Sequence, residues 1–160
     1  MKKLTAWICL IAASLTALLF GGCGLLKSCF ASSNVLEIFK EYYNVNTDLL
    51  ENYEIVCNVS CKTFTGRASR YVVIVLEEEP TAFIQSFSDK DNNDGFSSEK
   101  NNEIKDTIDE HSDVVIQDGY YPDWNQQYIW SEIHSGVLSE RLYTIYFPEE
   151  YKLIFFDTGH

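Results

Sequence analysis

Basic residues are scarce in this chain, where 12 lysines and arginines stand against 24 aspartates and glutamates, giving a formal charge of −12 over 160 residues. A surface of that sign repels nucleic acid and anionic lipid headgroups, so neither is expected as an electrostatic partner. Affinity for cations or basic partners is allowed by the charge without being indicated by it. Histidines number three, and none has a second histidine at metal-ligand spacing. No nucleophile stands in a recognised motif with its own base, which leaves no catalytic constellation of known spacing. Cys57-x-x-x-Cys61 lacks the second ligand pair that a structural zinc site needs. There is no internal repeat and no change of composition that would mark a second domain.

What is abundant is apolar and aromatic side chain: 46% of the residues are hydrophobic and 14% aromatic, with ten Tyr, ten Phe and three Trp. Burial on that scale can offset chain entropy, and the chain is long enough for one ordinary domain with a real core.

The first residues read as an address. Lys2 and Lys3 form a positive end, and Leu4 to Phe20 is a run of 17 residues without a charge, as a secretory h-region requires. Phe20-Gly21-Gly22-Cys23 follows, and it resembles the lipobox of bacterial lipoproteins. Gly21, Gly22 and Cys23 fit that pattern, while Phe20 stands where a Leu is usual. The resemblance implies removal of residues 1–22 and a covalent diacylglycerol lipid on Cys23, with no other cofactor. It covers only the signal, and the mature domain resembles no family. Two other readings remain open. Seventeen apolar residues are at the lower limit for an uncleaved anchor across a hydrocarbon core of about 30 Å. Cleavage after Ala31, in Cys29-Phe30-Ala31, would release the domain. All three put residues 32–160 outside the cytoplasmic membrane, because the positive end stays inside. The mature chain, having lost Lys2 and Lys3, carries 10 basic and 24 acidic side chains, near −14.

Residues 23–33 then read as a tether and residues 34–160 as a single domain. Val35, Ile38, Phe39 and Tyr42 recur at helical spacing behind Asn34 as a cap, predicting an amphipathic helix over 34–44. Tyr53 to Thr63 alternates like a strand. Tyr71 to Leu76 is a β-branched run, and Ala82 to Phe87, beyond Pro80, reads as its continuation or hairpin partner. Ser88 to Asn102 is almost without apolar residues and predicts a solvated loop. A short helix is expected over residues 99–111, and Val114-Val115-Ile116 as a short strand. Tyr128 to His134, Leu142 to Phe147 and Tyr151 to Asp157 form a C-terminal meander with Pro148-Glu149-Glu150 as its last turn. The fold class is α+β: an N-terminal helix packed on a curved antiparallel sheet, with a short second helix and a C-terminal β-meander. That outline is cystatin-like in element order, an analogy without functional content.

Cys57 and Cys61 lie about 13 Å apart on a strand, too far to bridge each other. One of them could pair with Cys29, although buried free thiols account for them more simply. Asp89, Asp91, Asn93 and Asp94 suggest a calcium loop, but an EF-hand register puts Asp94 where glycine belongs and Lys100 where a bidentate glutamate belongs. Only a weak, looser calcium site is left, against a plain solvated loop. His111 among acids reads as a helix C-terminal cap rather than a base. Glu132 and His134 share a strand face, where a cross-strand surface pair accounts for them. Tyr120, Tyr121, Trp124, Tyr128 and Trp130 concentrate aromatic rings in one stretch. Exposed, they would stack on a glycan or anchor an envelope protein; buried, they would plug one end of the sheet.

These readings favour a lipid-anchored extracytoplasmic domain with a binding or accessory role in the bacterial envelope. A small hydrolase or metal-dependent enzyme, and an inhibitor or immunity-type protein, are the alternatives. The first would need a deep pocket with converging acids and histidines, the second a compact exposed patch.

Overall fold

In the computed structural model, which describes residues 35–62, 68–87, 95–110, 116–135 and 140–159, five antiparallel strands form one sheet. They are β1 (Tyr53–Lys62), β2 (Ala68–Leu76), β3 (Ile129–His134), β4 (Arg141–Phe147) and β5 (Lys152–Asp157). Their spatial order is β1-β2-β5-β4-β3. The meander β3-β4-β5 therefore closes onto the hairpin β1-β2 through β5, with Val72 opposite Phe155 and Ile74 opposite Leu153. Among the described residues three α-helices accompany the sheet: α1 (Val35–Tyr43), α2 (Thr81–Ser86) and α3 (Asn102–Glu110). The architecture is α+β, as the element pattern predicts.

Both faces of the sheet are covered. Val72, Ile74, Leu153, Phe155, Leu142 and Tyr146 turn to α1 and α2, which bring Phe39, Tyr43 and Phe83. Tyr71, Val73, Ile154, Phe156, Tyr143 and Ile145 turn the other way, to Ile104 and Ile108 of α3. Tyr71 to Ile74 is therefore wholly buried as an unbroken run, because each alternate side chain meets a core of its own. The left-handed Asn44 ends α1, a conformation asparagine tolerates better than most residues.

The segment after Pro80 corrects the expectation of a strand over Ala82 to Phe87: it is helix α2. A strand would point residues 83, 85 and 87 to one side, carrying the amide of Gln85 into the core with the two phenylalanines. A helical turn separates them. Phe83 and Phe87 meet edge to face at 5.0 Å and are fully buried, while Gln85 is exposed. Phe87 also meets Phe96 edge-on at 4.8 Å, which anchors the far side of the loop read over Ser88 to Asn102. Asn34, Val114 and Val115 lie outside the described residues, so the cap and the short strand placed there do as well.

The last strand ends in a buried polar cluster. Asp157 is 1% exposed. Its carboxylate accepts the Tyr43 hydroxyl of α1 at 2.6 Å, the Arg70 guanidinium of β2 at 2.5 Å and the Gly159 backbone N–H at 3.0 Å. Ser69 donates to the carbonyl of Thr158 at 2.9 Å, and Thr158 N–H donates to that of Arg141 at 3.0 Å. The carboxylate thus ties the first helix to the last strand.

Several phenols are held neutral by this packing. Burial and the neighbouring Asp157 push Tyr43 up from its ordinary value, burial does the same to Tyr71, and burial pushes Tyr146 up to about 12. An unfolded tyrosine ionises near pH 10. The stability from keeping these phenols neutral is fully present below that pH and is lost as pH rises through the folded values. Urea unfolding is expected to lose about 1 kcal/mol or more per such tyrosine between pH 8 and pH 11. A midpoint unchanged over that range would contradict it.

Candidate functional site

The five aromatic residues singled out from the sequence all pack against the core beneath α3. Tyr128 is 8% exposed, and Tyr120, Tyr121, Trp124 and Trp130 are half-buried. Backbone and side-chain hydrogen bonds tie this stretch down. The Tyr71 hydroxyl donates to the Tyr120 carbonyl at 2.8 Å, Tyr121 donates to Asp109 of α3, and the Trp130 indole N–H donates to the Glu99 carbonyl at 2.8 Å. Burial and Asp109 raise the Tyr121 phenol above its ordinary value. The group therefore forms a wall more than an open platform.

At one edge of that wall is a cavity of about 320 Å³. Tyr128, Ile129 and Pro148 give it apolar sides, and Ser98, Lys100 and Gln127 give it polar ones. Residues 97–101 reach it because Ser97 pairs with Trp130 as an added bridge on β3, through N–H to carbonyl bonds of 2.7 and 2.9 Å. The Asn101 N–H then donates to the Tyr128 hydroxyl at 3.1 Å. Trp124 meets the Tyr128 ring edge to face at 5.4 Å and Phe147 lies tilted at 5.7 Å. Tyr128 is thus held on three sides and lines the cavity. Among the described residues, the side chains of Ser98, Lys100 and Gln127 are committed to no other residue.

Sequence reasoning reached Tyr128 but not its cavity partners. Ser98 and Lys100 lie in a stretch that reads as solvated loop, and Pro148 reads as a turn. A second cavity, of about 290 Å³, lies where Glu51, Glu78 and Glu79 approach Pro80 and Thr81. Its walls carry acids with no counter-charge.

Other candidates are distributed as follows. Cys23, Asp89, Asp91, Asn93, Asp94, His111 and His160 lie outside the described residues. Among the described residues no three histidine, cysteine or acidic side chains are grouped to hold a metal ion. Glu132 pairs along its strand with His134 at 3.1 Å and across to Arg141 of β4 at 3.3 Å, and Arg141 also meets Glu103 of α3 at 3.1 Å. His134 is largely exposed there, at the edge of a surface network of Glu132, Arg141 and Glu103. Cys57 is a buried free thiol, pushed up by burial and so poorly reactive. Among the described residues no helix is long and apolar enough to cross a membrane.

Comparison of the chain with known protein families, characterised proteins and solved structures gives no match.

Proposed function

We propose that this protein is a lipid-anchored extracytoplasmic domain of the bacterial envelope, held by diacylglycerol on Cys23 and acting by binding rather than by catalysis. The observation that carries the proposal is the order of the first residues: Lys2 and Lys3, 17 uncharged residues, then Phe20-Gly21-Gly22-Cys23. The first described helix begins at Val35, and a chain of the length of residues 24–34 would reach about 35 Å if extended, enough for a tether. The acidic surface suits a domain that stands off anionic headgroups while its lipid holds it near them.

The Tyr128 cavity supports a binding role because it combines apolar walls with a few uncommitted polar groups. A partner in the envelope, either a glycan or a protein, fits that reading; nucleic acid does not. Growth with labelled palmitate is expected to label the protein, and Cys23→Ser is expected to abolish the label and move the protein out of the membrane fraction. Label kept by the serine variant would overturn the proposal.

A further inference from the structure

We infer that the cavity beside Tyr128 binds a single pyranose ring bearing a carboxylate. This inference rests on the envelope location proposed above and adds the class of ligand. Size sets the first limit. At about 320 Å³ the cavity is at the small end of ligand sites, which run from roughly 300 to 1,000 Å³. That is room for one ring and its substituents.

The chemistry of the walls selects the ring. A pyranose has a face of C–H bonds and a rim of hydroxyls. Its C–H face is complementary to apolar carbon, which Ile129, Pro148 and the small exposed part of Tyr128 provide. Its hydroxyls each donate and accept, and so do the Ser98 hydroxyl and the Gln127 amide. Because Asn101, Trp124 and Phe147 already fix Tyr128, binding freezes little additional motion there.

Lys100 selects the charge. An ammonium only donates, so its natural partner is an acceptor-only anion. Among the described residues it has no carboxylate partner, in a chain with 24 acids. One negative charge fits better than two, since Lys100 is the one charged side chain that lines the cavity. A phosphate dianion would be only half compensated there, because no arginine fork lines the cavity beside it.

The test uses the full-length protein in detergent micelles with isotope-labelled isoleucine methyl groups. N-acetylmuramic acid and glucuronic acid are the two carboxylated probes, and N-acetylglucosamine is the neutral one. Saturable shifts of the Ile129 methyl are expected with at least one of the acids. The tighter of the two then distinguishes a wall-type ether-linked carboxylate from a uronate. Lys100→Gln is expected to weaken the acidic sugar at least about fivefold while changing the neutral one less than about twofold. Gln127→Ala is expected to weaken every sugar that binds. Absence of a saturable shift at Ile129 with either acid overturns the inference, as does an acid affinity unchanged by Lys100→Gln. Either result leaves palmitate labelling of Cys23 untouched, so failure here is distinguishable from failure of the anchor.

Discussion

Replacing Asp157 by alanine is expected to destabilise the domain by about 3 kcal/mol and to lower its thermal midpoint by roughly 10 °C. Three donors converge on that carboxylate: the Tyr43 hydroxyl, the Arg70 guanidinium and the Gly159 N–H. The alanine variant strands all three. Breaking a buried ion pair by removing one partner commonly costs about 3–5 kcal/mol, because the remaining charge stays desolvated. The Arg70 side chain is 25% exposed and reaches water in part, which puts the expected loss at the low end of that range. Tyr43→Phe removes one donor of three and should cost about 1 kcal/mol. Equal losses in the two variants, measured by urea unfolding, would contradict the assignment of Asp157 as the centre of the cluster.

Phe155→Ala should cost more, about 3–5 kcal/mol, and its effect should be confined to one side of the sheet. The Phe155 ring meets Phe39 of α1 at 5.0 Å and Phe83 of α2 edge-on at 6.0 Å, and it is fully buried. Its removal opens a void where both helices seat on β5. Amide hydrogen exchange should therefore accelerate in α1 and α2 before α3. Phe156→Ala, on the opposite face against Tyr71 and Tyr143, should accelerate α3 first. Uniform acceleration in both variants would mean that the two cores open as one unit, against this prediction.

Those two neighbouring phenylalanines also show how far the sequence can be read. A strand with one buried face alternates, and β5 does not, because helices cover both faces. The run Leu153-Ile154-Phe155-Phe156 already signals a strand in the C-terminal meander, and Pro148-Glu149-Glu150 signals the turn before it. Periodicity alone does not show that α3 lies on the face opposite α1, since an amphipathic helix does not name the surface it covers. Nor does it show that β5 docks on β2, a pairing that joins residues 77 to 87 positions apart. Helix α2 was obscured for a different reason. Ala82 to Phe87 is short and apolar, and at that length strand and helix look alike unless the spacing of Phe83 and Phe87 is weighed against Gln85.

The site was legible to a similar extent. Aromatic density marks the stretch from Tyr120 to Trp130, and the structure places those rings in one wall. Two of the cavity's three polar residues, Ser98 and Lys100, come from a stretch that reads only as loop. They arrive there through the Ser97 to Trp130 bridge, a contact set by backbone pairing that no side-chain pattern announces. The Asp157 cluster was equally hidden, since Tyr43, Arg70 and Asp157 each look ordinary where they stand in the chain.

The proposed function depends on the first 23 residues more than on anything folded after them. Mass spectrometry of the mature N-terminal peptide, from protein purified out of its native membrane, tests that dependence most directly. A chain beginning at Cys23 and carrying diacylglycerol on its sulfur is the predicted result. An unmodified chain beginning at Ser32, or one retaining Met1 through Gly22, would contradict it.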